Sequence, residues 1–347
     1  MPLTRRILIV SHTDRANRVR IISPSEAPEM SGGFMKMESN HGLEDDLRPE
    51  YDVSKQMNEA ELCIGKALKP GHGKIIIYDI GANNGDDIPY YLKKADVVVA
   101  VEANPDLCQQ IQDRFSLEIQ QKRLILENCV LTSEHQSEEV AFYIHKEKHV
   151  RSQFSPPKNI SDFKQVFLPS KSVRQLFAEH GFPHYIKIDV EGYDPVILRS
   201  LFTEGIKPDY LSAESHSIEV FLLLTSFGEY NSFKIVEGRT VAKKYRNHPI
   251  KTMDGEEVYS FPRHSAGPFG EDVTGSWVDS VRLFRRLQSE GLGWKDIHAR
   301  KEEAESQQLK PKIPWQLQYW SYKIQWLSLG AYRKIRNTLS SIFHSFF

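Results

Sequence analysis

Two short stretches of the chain combine glycines and acids in the way a ligand-binding turn would. In Tyr78-Asp79-Ile80-Gly81-Ala82-Asn83-Asn84-Gly85-Asp86-Asp87, an apolar run ends in two glycines four residues apart. Glycine permits a tight turn and close backbone approach to a ligand, and the helix that follows offers free N–H groups. The next apolar run ends in Val101-Glu102-Ala103-Asn104-Pro105. A carboxylate at such a strand tip commonly accepts both hydroxyls of a ribose. Two ribose-bearing ligands fit, an NAD(P)-type dinucleotide or S-adenosylmethionine. The dinucleotide fingerprint G-x-G-x-x-G requires glycine where Asn83 stands, and Asp86 and Asp87 open the helix where a pyrophosphate would sit. A ligand carrying an ammonium and a sulfonium would instead be attracted by Asp79 and nearby acids, so S-adenosylmethionine is expected. The plain structural reading is a helix start capped by Asn and Asp.

A second constellation is Lys187-Ile188-Asp189-Val190-Glu191-Gly192-Tyr193-Asp194, again after an apolar run and before a helix opened by Pro195. A third run ends in Glu214-Ser215-His216. In open parallel sheets, ligands bind outside the carboxyl ends of the strands, so Asp189, Glu191 and His216 are the candidate catalytic residues, as proton acceptors for a substrate hydroxyl. The same three could hold a hard divalent cation that acidifies that hydroxyl; this option is not favoured, and no metal ligand is assigned. Asp194 reads as a solvated acid at a helix start.

These side chains need a scaffold. From Lys74 onward, short apolar runs alternate with amphipathic stretches, the rhythm of an α/β sheet. The expected strands are Ile75–Ile80, Val97–Val101, Leu124–Leu126, Val140–Ile144, Tyr185–Ile188, Tyr210–Ala213 and Phe233–Val236, with a further one at Val258–Phe261. Continuous apolar runs indicate that both sheet faces are covered. Helices are expected at Pro105–Gln120, Val173–His180, Pro195–Phe202 and Ser217–Phe227, the first capped by Asn104 with proline at its first position. The stretch 151–169 lacks periodicity and contains Pro156-Pro157, so it reads as a surface loop or lid.

Taken together, Asp79 to Gly85, the Glu102-Ala103-Asn104-Pro105 tip, Asn128 and Ile186 to Gly192 resemble the FkbM-type family of S-adenosylmethionine-dependent methyltransferases. The resemblance spans about Ile75 to Val236. It implies a Rossmann-like class I methyltransferase fold with a mostly parallel seven-stranded sheet and helices on both faces. It also implies S-adenosylmethionine as donor and a hydroxyl acceptor on a sugar, glycan or small metabolite. Carried over residue by residue, Asp79, Gly81, Asn83, Gly85, Glu102 and Asn128 are the cofactor-binding positions. Cys129 and Tyr193-Asp194 depart from the family pattern, which bears on substrate and packing. The alternatives are an NAD(P)-binding Rossmann oxidoreductase and a non-catalytic scaffold.

The 347 residues divide into an N-terminal extension (1–73), a methyltransferase domain (74–262), an appended segment (263–305) and a tail (306–347). The formal charge of −1 is a cancellation. Residues 1–305 hold all 46 acids, while the tail has none and carries Lys310, Lys312, Lys323, Arg333, Lys334 and Arg336. An acidic body does not suit a nucleic-acid partner and does suit a cationic ligand. In the tail, Leu317, Trp320, Ile324, Leu327, Ala331 and Ile335 fall at helical spacing, so it is expected either to dock on the domain or on a dimer partner, or to lie on an anionic membrane. Three cysteines without a C-x-x-C pair and no 18-residue apolar run point to a cytoplasmic protein, with peripheral membrane contact through the tail as the open option.

Overall fold

The computed structural model describes residues 73–133, 138–302 and 318–330. The expected helix at 54–68 and most of the N-terminal extension lie outside the described residues.

The strands are β1 (Ile76–Ile80), β2 (Val97–Val101), β3 (Leu124–Glu127), β4 (Val130–Thr132), β5 (Glu139–His145), β6 (Phe163–Ser172), β7 (Tyr185–Ile188), β8 (Tyr210–Glu214), β9 (Ser232–Glu237), β10 (His248–Thr252), β11 (Gly255–Tyr259) and β12 (Lys295–Arg300). Seven of them form one sheet in the order β3-β2-β1-β7-β8-β12-β9. All neighbouring pairs are parallel except those made by β12, which runs antiparallel to β8 and β9. Strand order reverses between β1 and β7, which opens a crevice at their carboxyl ends.

The valine-rich β2 is buried along its whole length. Val97, Val99 and Val101 enter one apolar cluster and Val98 and Ala100 the other, because successive side chains point to opposite faces. Each of these buried valines contributes roughly 1.5–3 kcal/mol. The helices that cover these faces include α1 (Ile88–Tyr91), α2 (Pro105–Arg114), α3 (Ser116–Gln120), α4 (Val173–His180), α5 (Asp194–Thr203), α6 (Ile218–Ser226), α7 (Val241–Lys244) and α8 (Ser280–Glu290). Asn104 caps α2 by accepting from the Asp106 amide at 3.1 Å, and Ser172 with Gln175 forms a capping box on α4. The helix expected over 105–120 is two helices. It breaks at Phe115, which leaves helical geometry (φ −119°, ψ 30°) and buries its ring.

Several expectations are corrected by the tertiary structure. The stretch 151–169 is not one loop: its second half is β6, a ten-residue strand paired with β5 and β4 in a separate small sheet. Val140–Ile144 belongs to that sheet and not to the central one. Nor is 263–305 an appendage. Its strand β12 sits inside the central sheet, and Leu283, Phe284 and Leu287 of α8 join the core. The expected strand at 258–261 is the end of the β10–β11 hairpin.

Residues 318–330 are helical. Tyr319 is buried, and Tyr322 and Trp326 pack against the same cluster as α6 and α8. No helix among the described residues is long and apolar enough to cross a membrane.

Candidate active site

The carboxyl ends of β1, β2, β7 and β8 meet at a cavity of about 640 Å3, within the roughly 300–1,000 Å3 usual for small-molecule and cofactor sites. Gly81 and Asn83 line it after β1, Glu102 after β2, Asp189 and Glu191 after β7, and Glu214 and His216 at and after the end of β8.

The first turn is held by its own backbone. The Gly81 and Ala82 amides donate to the Val101 carbonyl at 2.9 and 3.0 Å. Gly81 has φ +86°, and a Cβ there would lie 1.9 Å from the Asp189 carbonyl oxygen, so no other residue fits where the two turns touch. Asn83 also adopts a left-handed conformation (φ +51°). Its amide donates to Glu102 Oε2 at 2.8 Å, while the Asn104 amide donates to Oε1 at 2.8 Å. The Glu102 carboxylate is thereby fixed in orientation. Burial nevertheless pushes its pKa up to about 7, against the pull of those two amides.

Asp79, Gly85 and Asn128, all expected to touch the cofactor, are not in the cavity lining. The Asp79 carboxylate is fully buried, and Lys187 Nζ lies 3.2 Å from it while donating to the Gly81 carbonyl at 2.9 Å. Asp79 therefore anchors Lys187, and through it the turn, from behind. Gly85 turns the chain at φ +77° against Ile88, Ile111 and Phe115. Asn128 donates to the Glu102 and Ala103 carbonyls at 2.9 and 3.0 Å and braces the β2 tip from outside.

The acids after Gly85 also face away from the cavity. Asp86 pairs with Arg114 at 3.2 Å. Asp87 is buried, accepting from the Ser265 hydroxyl and the Ala266 amide. Asp86 ties this turn to α2 and Asp87 ties it to the segment at Ser265 and Ala266, so they cannot discriminate between a pyrophosphate and a sulfonium. The acids that do face the cavity are Glu102, Asp189, Glu191 and Glu214.

The three candidate catalytic residues share one wall, and Glu214 joins them. His216 Nε2 lies 2.7 Å from Glu214 Oε2. Glu191 and Gly192 both take left-handed backbone (φ +47° and +83°) in the turn that follows β7. Burial and the neighbouring Asp189 raise the Glu191 pKa to about 7; the same causes raise Glu214 to about 10. Asp194 is not solvated: it is buried beneath this wall, and desolvation followed by Asp189 raises it to about 7. Asp296 on β12, register partner of Glu214, is buried and raised as well. A metal held by Asp189, Glu191 and His216 gains no support from their placement. Among the described residues, the one trio of potential ligands within 4.8 Å of one another is Glu127, Glu179 and His180, and Lys171 already bridges its two glutamates.

The remaining walls come from segments whose role has no local signal. Cys129, Val130, Leu131 and Phe142 supply an apolar side, and His149, Arg151 and Phe154 form the rim. Cys129 and Tyr193, two of the departures from the family pattern, both line the cavity. His264 and Trp294 reach it from the C-terminal segment. Trp294 packs where Gly238 lacks a Cβ, since a Cβ there would come within 2.4 Å of the indole nitrogen.

A doubly wound parallel sheet with one reversed strand near its edge, a glycine turn after β1 and a fixed carboxylate after β2 define a Rossmann-like class I methyltransferase fold. Residues 79–237 match the sequence model of the methyltransferase FkbM domain. No curated protein matches the chain by sequence. Similar solved structures include the methyltransferase FkbM from Methylobacillus flagellatus, 15% identical over 48% of this chain and 43% of that one, with a TM-score of 0.30. The chain thus spans less than half the length of that protein. Others are a SAM-dependent O-methyltransferase from Thermotoga maritima (9% identity, 75% and 69% coverage, TM-score 0.30) and an O-methyltransferase from Bacillus cereus in complex with SAH (10%, 73% and 84%, 0.29).

Proposed function

We propose that this protein transfers the methyl group of S-adenosylmethionine to a hydroxyl of a sugar, glycan or small metabolite. The observation that carries the reading is the Glu102 carboxylate, buried, oriented by two backbone amides and facing a cavity of cofactor size beside the Gly81–Asn83 turn. That carboxylate would take the ribose hydroxyls, and Ile80, Val101, Leu107, Val130 and Leu131 offer an apolar bed for a flat base. The acidic wall suits the ammonium and the sulfonium.

The cofactor brings an already activated methyl group. The protein's task is to align the acceptor within about 3 to 3.5 Å and to take its proton. The second role is assigned to Glu191: with a pKa of about 7 it is a base at neutral pH and an acid just below it. Asp189 shares the wall, and His216, paired with Glu214, can pass the proton outward.

Isothermal titration should show binding of S-adenosylhomocysteine that drops at least about tenfold in Glu102→Ala, a loss expected when a bidentate hydrogen-bond acceptor is removed. Labelled-methyl transfer to a panel of sugars, glycans and small hydroxylated metabolites then identifies the acceptor. Tight binding of a nicotinamide dinucleotide in place of S-adenosylhomocysteine would overturn the reading in favour of an oxidoreductase.

A further inference from the structure

The helix at 318–330 has two apolar faces, and the protein covers one. Tyr319 is 8% exposed, Tyr322 packs on Phe221 and Phe284 with ring centroids 5.2 and 4.9 Å apart, and Trp326 reaches Phe284 at 6.3 Å. The other face carries Trp320, Ile324 and Leu327, exposed by 55, 62 and 62%. Steps of four and three residues align these side chains in one stripe. A surface helix ordinarily turns polar residues outward once its apolar face is docked.

Charge says what covers the stripe. The tail has six lysines and arginines and no acid, and Lys323 stands beside the stripe, with its Nζ 5.5 Å from the Trp320 ring. On α8, Arg285 follows the Phe284 that Tyr322 and Trp326 cover and is exposed, as is Arg282, whose guanidinium lies 4.0 Å from Asp279. A second copy of this chain would set two such cationic surfaces against each other, and like charges there repel. An interfacial helix on anionic lipid needs this arrangement: apolar and aromatic residues on one face, flanked by lysine and arginine.

We propose that this face of the protein docks on an anionic lipid surface. Trp320, Ile324 and Leu327 enter the headgroup boundary, and the basic side chains of the tail and of α8 pair with the lipid phosphates.

The test is flotation of the full chain with phosphatidylcholine vesicles, alone or mixed with phosphatidylglycerol. The expected result is strong binding to the mixed vesicles, weak binding to the neutral ones, and release by added salt. The combined Trp320→Ser, Ile324→Ser, Leu327→Ser variant should bind the mixed vesicles at least about tenfold more weakly, with an unchanged thermal midpoint because the stripe is outside the core. If that variant proves misfolded, Arg333→Gln, Lys334→Gln, Arg336→Gln should still lose the preference for anionic vesicles. Equal binding of wild type and both variants, equal binding to neutral and mixed vesicles, or no vesicle binding would overturn the proposal. So would sedimentation showing a wild-type dimer that the serine variant abolishes, which would assign the stripe to a second copy.

Discussion

At the residue scale, Glu191 and Gly81 show how a single position is set by its surroundings. Glu191 has an ordinary carboxyl in an unusual place: a left-handed turn at a strand end, beside Asp189. If it takes the acceptor's proton, methyl transfer should climb as pH is raised through about 7, since the carboxyl must be deprotonated to act. A kcat profile measured between acid and mildly alkaline pH tests this. The ascending limb should disappear in Glu191→Gln, and an identical limb in that variant would remove Glu191 from the role. Gly81 is constrained from the other side, by the carbonyl of Asp189. Gly81→Ala is expected to cost at least about 2 kcal/mol from the left-handed backbone and the clash, read as a shift in the denaturation midpoint. Glycines and acids at these positions are legible in the chain because the chemistry of a turn demands those residue types. Whether an acid faces the ligand or the core is not legible, and Asp79 and Asp87 face the core.

At the element scale, the site depends on ties between strand ends. Lys187 on β7 reaches Asp79 on β1 and the Gly81 carbonyl, with both charges buried. Lys187→Met leaves the Asp79 carboxyl unpaired in the core and should destabilise the protein by about 3–5 kcal/mol. A chemical denaturation curve measures this, and Asp79→Asn combined with Lys187→Met should recover part of the loss. The sheet itself gives a second expectation. Between β8 and β9 lies β12, from a part of the sequence that reads as an appendage. A chain stopped after Pro262 leaves β9 without a neighbour in the central sheet, opens one edge of β8 and strips α8 from the core, so it should fail to unfold cooperatively, while one stopped after Glu302 should melt in a single transition. A cooperative transition in the shorter chain would show that β12 is dispensable. The strands with continuous apolar runs are readable from sequence because burial on both faces leaves that signature. The sequence Lys295-Asp296-Ile297-His298-Ala299-Arg300 carries no such signature, although five of its six residues are buried. Its polar side chains are accommodated partly by neighbours brought from far along the chain, as Lys295 is by Glu237.

At the scale of the whole molecule, the concentration of acids in one place has a thermodynamic consequence. Burial raises Asp87 to about 6 and Glu102 and Asp194 to about 7. Each of these folded values lies above the ordinary carboxyl range, so the native state keeps a proton that the unfolded chain releases. Stability is then lost as pH climbs from about 4 through about 7. His298, buried and lowered to about 3, acts in the opposite sense, but its loss of stability comes as pH falls below about 6.5. Between pH 6 and pH 8 the acids outweigh it, so the ligand-free protein should melt at a higher temperature at pH 6 than at pH 8. Calorimetry at the two pH values checks the sign, and a higher midpoint at pH 8 would mean that the acids are ionised at little cost.

The same scale separates what the chain states by itself from what folding decides. The α/β rhythm, the glycine turn, Glu102 at a strand tip and the trio Asp189, Glu191 and His216 at sheet-end positions follow from local rules of periodicity and turn chemistry. The placement of β12, the retreat of Asp79, Gly85 and Asn128 behind the cavity, the burial of Asp194, and the arrival of Trp294 and His264 at its wall are long-range outcomes. So is the outward direction of Trp320, Ile324 and Leu327. Helical spacing marks them as an apolar face, while the core has room only for Tyr319, Tyr322 and Trp326. Local sequence determines which faces and turns exist; packing against residues up to two hundred positions away determines which of them meet, and that competition for the core has no signature in a short window of sequence.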